Sequence, residues 1–562
     1  MKFSEIQYVR PDVDKLLADL SAATDRFNAA DSAAAQLDVL RDVEKITSAF
    51  STMAVVASIR NSVDTRDEFY AEEKAFYDQV SPLIAEKSQL LSLAMVGSKF
   101  RPELEKELGE VCFLNTEMEI KSFSPEIIPL MQEENMLTSA YQKLYASAKI
   151  PFDGKELTVA QLGIYKQSPD RAVRKAAMEA EGRFFDANQE KFDEIFDKLV
   201  KNRTEQAKKL GYDTFVPLGY IRRQRNCYGL PEVATFRRQI IGDVVPAVNK
   251  IKERQMKRIG VDGIKLYDDN FFFPDGNPTP KGTPEEILAA GKQMYSELSP
   301  ETASFIDLMF DMDLFDVLAK EGKAPGGYCT ELADYECPFI FSNFNGTAGD
   351  VDVLTHEAGH AFAAYVSYQT IPWSFNRQPS MEGCETHSMS MEFLTSPWHH
   401  LFFKEDTAKY AQSHAEDALI FLPYGTMVDH FQEIIYSNPD LTPAERNAEW
   451  AKLEKIYRPH IDFDNLPFYG RGAGWQRQLH IYLYPFYYLD YCMAQAMALE
   501  FFSLHLQDQK FAWEKYLDFV KLGGTKTFVG LIEAVGLKSP LTEGTLKDVV
   551  AELDAWLDTH SV

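Results

Sequence analysis

Residues 351–366 read VDVLTHEAGHAFAAYV and carry His356 and His360 four positions apart, with Glu357 between them. On a helix, positions i and i+4 lie on one face about a turn apart, so both imidazoles can reach one ion. Zinc suits two such nitrogens plus one carboxylate oxygen and leaves a fourth position open. Glu357 sits beside that face, where it can take a proton from a water activated by the metal. The chemistry this pattern predicts is hydrolysis, with His356 and His360 as ligands and Glu357 as general base. The flanking Val351, Val353, Leu354, Ala361, Phe362 and Tyr365 predict a buried helix. A histidine pair in such a place needs polar partners.

A third ligand is required, and spacing narrows the choice. The extended metzincin pattern needs Gly at 363 and His at 366, where Ala363 and Val366 stand. Gluzincin aminopeptidases place the third glutamate about nineteen residues after the second histidine, and Pro379 occupies that position. Downstream lies SMEGCETHSMSMEFL, with Glu382, Glu385 and Glu392 at helical spacing. One of these carboxylates can bind the metal while another supports a histidine from behind. Spacing alone does not choose between Glu382 and Glu385, and His387 is a further candidate.

HEAGH followed 25 residues later by ETHSMSME resembles the thimet oligopeptidase and oligoendopeptidase F family of zinc metallopeptidases. In that family HExGH is followed by a Glu-x-x-Ser-x-x-x-Glu helix. The resemblance implies that Glu385 is the third zinc ligand, Ser388 the motif serine and Glu392 the carboxylate behind a histidine. It also extends upstream, through GGYCTELADYECPFIFSNFNGTAGDVDVLTHEAGH. On that match the strand formed by Phe339, Ile340, Phe341, Ser342, Asn343 and Phe344 is an edge that pairs with the backbone of an extended peptide. The alternative is an ordinary core strand.

A second candidate region is YGRGAGWQRQLHIYLYPFYYLDY at 469–491. Gly470, Gly472 and Gly474 predict a loop, but without the strand–loop–helix spacing of a phosphate cradle. A helix is expected from near Pro485. Tyr484, Tyr488 and Tyr491 then share one face, which suits core packing as well as donation to an oxyanion. The same family has a histidine and tyrosine cluster after a Gly-containing loop, used to bind substrate and stabilise the transition state. The resemblance assigns this role to His480, Tyr484, Tyr488 and Tyr491, with Tyr482 and Tyr487 as close competitors in register.

These residues must be positioned by helices. From Val13 to about Tyr141 the apolar periodicity is helical, predicting long antiparallel hairpins with breaks at Pro82, Pro102 and Ser124-Pro125. KIPFDGKELTVAQLGIY predicts a small β-hairpin around Asp153-Gly154. Helix resumes from Asp170 through Lys209. Irregular chain is expected over Gly260 to Gly282 and Gly322 to Asp350, the latter with one strand, PFIFSNFNGT. Helix dominates from Val351 to the end. The expected fold is mainly α, with a small β element beside the HExxH helix. A helical N-terminal region is expected over 1–195 and the catalytic zinc region over 196–562. The resemblance adds a large clam-like architecture whose N-terminal helices wall a deep substrate channel, so that oligopeptides are cut internally.

Composition limits the partners. The chain has 562 residues, 85 acidic and 58 basic, for a net charge of −27. Such a surface repels nucleic acid and anionic membrane, so neither is an expected partner. The one basic knot, Arg222, Arg223 and Arg225 in IRRQRN, is expected to be a solvated loop. Six scattered cysteines form no CxxC pair and read as free thiols. No secretory leader and no apolar run of about 18 residues is visible, which predicts a cytoplasmic protein. One Zn2+ per chain and oligopeptide substrates are expected, while oligomeric state has no signature. Rival readings are an exopeptidase on the same zinc helix and a catalytically idle peptide-binding zinc protein. Glu357 argues against the second, because ligation alone does not need it.

Overall fold

Three N-terminal helices begin where a short polar side chain can accept a backbone N–H. Asp12 accepts from Lys15, Ser32 from Ala35 and Asp67 from Tyr70, capping α1 (Val13–Ala29), α2 (Ala33–Val63) and α3 (Glu68–Val96). Each such cap contributes about 1 kcal/mol. They are seen in a computed structural model that describes residues 1–320, 322–324 and 326–562. The stripe Leu16, Leu20, Ala23 and Phe27 of α1 packs on Val39, Leu40 and Val43 of α2 and on Ile84, Leu91 and Met95 of α3, around Trp373. Contrary to the expected break, α3 runs through Pro82. A proline inside a helix costs about 3 kcal/mol. The apolar face continues across it from Tyr77 to Ile84, Leu91 and Met95, all buried, and burying each such side chain returns about 1.5–3 kcal/mol.

The chain divides into two units, each assembled from three separate stretches. The first comprises Met1–Ile120, Thr279–Glu405 and Leu504–Leu537. It holds a three-stranded sheet where one strand was expected: β1 (Phe315–Leu318), β2 (Tyr328–Leu332) and β3 (Cys337–Phe344), in the order β1-β3-β2. β1 runs parallel to β3, with Phe315 opposite Ile340. β2 runs antiparallel, from Tyr328 opposite Phe341 to Leu332 opposite Cys337. Phe339 to Phe344 is therefore the central strand and not an edge, which corrects the assignment of Phe339, Ile340, Phe341, Ser342, Asn343 and Phe344 as the row open to a peptide. The uninterrupted PFIF run, all of it buried, is what a strand covered on both faces requires. Edge strands carry polar and charged side chains, as β2 does with Thr330 and Glu331.

The second unit comprises Lys121–Pro278, Asp406–Ser503 and Lys538–Val562. Its hairpin pairs Ile150–Phe152 with Lys155–Leu157. The turn places Asp153 and Gly154 at φ 49° and 70°, as an Asp-Gly two-residue turn demands. The expected solvated loop at IRRQRN is corrected. The Arg225 side chain is fully buried between Asp429 and Asp490, and its Nη2 donates to the Phe486 carbonyl at 2.7 Å. Arg222 is mostly buried and donates to Gln206 at 2.6 Å. The acids that neutralise Arg225 lie some 200 residues or more along the chain, where local charge counting does not look.

Glu454, buried on the helix Pro443–Tyr457, has its pKa raised from 4.5 to about 7 by burial, with Arg458 and Trp450 offsetting only part. The neutral acid is thus favoured in the folded state. Its stabilising contribution is complete below the unfolded pKa near 4.5 and is lost as pH rises through about 7. Glu454→Gln is expected to gain on the order of 2–3 kcal/mol relative to the parent between about pH 5 and pH 8. Urea midpoints at the two pH values measure this; an equal difference at both would reject it. Among the described residues, none of the six cysteines is paired and no helix is long and apolar enough to cross a membrane.

Candidate active site

β3 runs into the motif helix through a loop that one aspartate holds. Asp350 accepts the N–H groups of Asn345 at 2.8 Å and Gly346 at 2.7 Å. The chain then enters α4 (Gly349–Thr370), anchored by buried Val351, Leu354, Ala361 and Phe362. α5 (Met381–Leu394) packs against it, and α6 (Gln509–Leu522) against both. The Tyr516 hydroxyl of α6 donates to the His387 carbonyl at 2.8 Å.

His356, His360 and Glu385 offer three ligand atoms that all lie within 4.8 Å of one another. The Nε2 atoms of His356 and His360 stand 3.3 and 3.4 Å from one Glu385 oxygen. His356 Nδ1 lies 2.8 Å from Glu392 Oε1. A carboxylate can only accept, so in the neutral, ligating form of His356 the proton sits on Nδ1 and Nε2 turns its lone pair toward the cluster. The Ser388 hydroxyl donates to the Glu385 carbonyl at 2.9 Å and lies 3.1 Å from its Oε2, steadying the carboxylate. Two imidazole nitrogens and one carboxylate oxygen, with the supporting groups in place behind them, fit a divalent cation.

The carboxylates and the imidazoles compensate one another's charge. Burial alone would raise the Glu385 carboxyl, but His360 and His356 reverse this and hold it well below the usual range. Burial would lower the His356 imidazole, yet hydrogen bonds and charge from Glu385 and Glu392 push it up. Glu357, 9% exposed, is raised, chiefly by burial and further by the neighbouring Glu385 and Glu392, with the histidines offsetting part.

Spacing left Glu382, Glu385 and His387 open; in the fold only Glu385 joins the histidines. Glu382 is buried elsewhere on α5, and the His387 ring packs edge-on against Phe519 of α6 at 5.4 Å. A residue that sequence reasoning passed over is Gly359. A Cβ there would stand 2.6 Å from Ser388 Cα and 2.7 Å from the His387 carbonyl oxygen. The glycine inside HEAGH is what lets α4 and α5 approach closely enough for Glu385 to reach the histidines. Gly359→Ala is expected to cost about 1–3 kcal/mol through overpacking and to weaken metal retention with it. Thermal unfolding with and without added metal checks this; unchanged stability would remove the close-packing argument.

In the second unit, His480 sits on the short helix Leu479–Leu483, which Tyr484 ends, and a later helix, Tyr487–Gln507, carries Tyr487, Tyr488 and Tyr491. That helix starts two residues after the expected Pro485, because Phe486 takes φ 66°. The His480 ring centroid lies 4.8 Å from Tyr488, 6.0 Å from Tyr487, 6.1 Å from Tyr484 and 6.2 Å from Tyr491. The four tyrosines thus surround one imidazole, Tyr487 included. Tyr482 does not join them; it is fully buried and stacks on Tyr141 at 3.9 Å. Gln478, also passed over, links Tyr424 to the cluster. Its Oε1 accepts from the Tyr424 hydroxyl at 2.9 Å and its amide lies 3.0 Å from His480 Nδ1. Its position two residues before His480 was the only signal available.

Residues 3–123 match the Peptidase M3 N-terminal domain and residues 307–550 match Peptidase family M3. Oligoendopeptidase F, chromosomal, of Lactococcus lactis subsp. cremoris is 22% identical over 594 residues, spanning 96% of this chain and 92% of that protein. Oligopeptidase PepF of Bacillus subtilis strain 168 is 22% identical over 566 residues, spanning 93% and 80%. The solved structure of PZ peptidase A with inhibitor 2 is 47% identical, covers 99% of each chain and superposes with a TM-score of 0.94. With both family models matched, this likeness over its whole length and a His-His-Glu cluster at its motif, the chain belongs to peptidase family M3, as a metalloendopeptidase of the oligoendopeptidase F kind.

Proposed function

We propose that this chain hydrolyses internal peptide bonds of short oligopeptides at one zinc ion held by His356, His360 and Glu385, with Glu357 as general base. The observation that carries the reading is the convergence of those three side chains, with Glu392 orienting His356 from behind. When bound, the ion supplies Lewis acidity, lowering the pKa of an attacking water and polarising the scissile carbonyl. Glu357 takes the water's proton and passes it to the leaving amine, a shuttle suited to a carboxyl whose proton affinity burial has raised. Glu392 keeps the His356 proton on Nδ1 throughout. In this reading, His480 with Tyr484, Tyr488 and Tyr491 donates to the developing oxyanion; that role rests on resemblance to the family. Tyr487 shares the ring of aromatics about His480. With β3 enclosed, β1 and β2 are the two edges of the sheet, and β2, which packs against α4, is the edge assigned to receive an extended substrate backbone in this reading.

The test is mass-spectrometric product analysis of a mixed oligopeptide pool with the native protein, with chelator, and after zinc is restored. Internal cuts lost on chelation and regained with zinc are expected. Trimming from one end only would replace the endopeptidase reading with an exopeptidase. No cleavage despite stoichiometric zinc would favour a peptide-binding role.

A further inference from the structure

A cavity of about 380 Å³ lies wholly within the second unit and opens beside the His480 cluster, since Gln478 and Tyr488 line both. It falls in the size range of small-ligand sites, roughly 300–1,000 Å³. Phe421, Trp450 and Phe463 make its walls apolar. Its lining cations, Lys166, Arg458 and Arg477, belong to two clusters in each of which two cations share one buried carboxylate. Glu181, fully buried, is met by Lys166 at 2.5 Å and by Arg477 Nε at 3.0 Å, and also accepts from the Tyr469 hydroxyl. Asp269 is met by Lys252 at 2.7 Å and Arg458 at 2.7 Å. Each group of three carries one positive charge in excess.

Arg477 is the member free to act. It engages Glu181 through Nε, which leaves both terminal amino groups for a ligand; its side chain is 45% exposed and lines the cavity. The remaining acids on the lining are Asp417 and Glu454. Burial raises Glu454 to a pKa of about 7, so at neutral pH it opposes the cations only in part. On a chain of net charge −27, a pocket presenting unspent guanidinium donors is suited to an anion of matching fork geometry.

We propose that this cavity is a subsite for a carboxylate of the oligopeptide substrate, bound by the terminal amino groups of Arg477 with Lys166 and Arg458 in support. The inference rests on the reading that a peptide lies along the His480–tyrosine cluster. The carboxylate is either the peptide C-terminus or an Asp or Glu side chain, whose stem the aromatic walls would cover. Anchoring a terminus would also favour short substrates.

The test measures binding, so that it does not depend on turnover. Fluorescein-labelled peptides are titrated onto zinc-loaded Glu357→Gln protein in two matched pairs: free C-terminal acid against C-terminal amide, and internal Asp against Asn. One pair is expected to show the acid binding roughly tenfold or more tighter, as a charge-assisted bidentate contact gives. The pair that responds identifies the source of the carboxylate. Adding Arg477→Gln is expected to erase that preference while leaving amide binding unchanged, since Lys166 and Tyr469 still satisfy Glu181. The proposal is overturned if neither pair discriminates in the protein with its pocket intact, or if discrimination survives Arg477→Gln. Parent enzyme that cleaves both members of each pair equally well, with no binding preference, would end the subsite and leave the peptidase reading standing. Discrimination without any cleavage by the parent enzyme would do the reverse.

Discussion

Glu357→Gln is expected to lower kcat by about 10²–10⁴-fold while leaving the metal in place. The amide has the shape of the carboxylate and fills the same site on α4, 9% exposed beside His356 and His360. It cannot accept a proton. None of the three converging ligand atoms belongs to Glu357, so metal content by atomic emission should match the parent. KM for a short fluorogenic peptide should change little, because the lost interaction is made in the transition state. Near-parental turnover in a protein with full metal content would remove Glu357 from the mechanism. Loss of activity together with loss of metal would instead make it structural.

The second large effect concerns the ligand set and is graded. Glu385→Ala removes the carboxylate that, among the described residues, faces both histidines, 3.3 and 3.4 Å from their Nε2 atoms. Two histidines alone hold a zinc ion too weakly for a three-ligand site, so metal should fall from roughly one equivalent to near zero after dialysis and peptide hydrolysis should cease. Glu392→Gln is milder, because Glu392 touches the Nδ1 proton of His356 and not the cation. Loss of such a supporting carboxylate costs about 10–100-fold in metal affinity or activity, and the activity part should be recovered by excess zinc. The order of effects is the measurement. If Glu385→Ala kept its metal while Glu392→Gln lost it, the two assignments would be exchanged.

The candidate site was legible where its chemistry is local. His356, Glu357 and His360 are spaced by the helix itself, periodicity carried the helical character of the chain, and the Asp-Gly pair at 153–154 carried its turn. These depend on neighbours within about one turn. What the residues alone left open was pairing between distant segments. Glu382, Glu385 and His387 share one helix; packing of α5 against α4, permitted by Gly359, brings Glu385 alone to the histidines. Tyr482 and Tyr484 are two residues apart, yet one stacks in the core on Tyr141 and the other stays exposed beside His480. Arg225 looked solvated because its acids, Asp429 and Asp490, are remote in sequence. The PFIF strand reads alike as an edge or a centre, since hydrophobicity reports burial of its faces and not occupancy of its backbone. Sequence determined the motif, the helices and the reaction class; tertiary structure decided which carboxylate converges with the two histidines, the strand order and which tyrosines meet His480, because contacts between segments far apart in the chain are set by packing and charge pairing that no local spacing encodes.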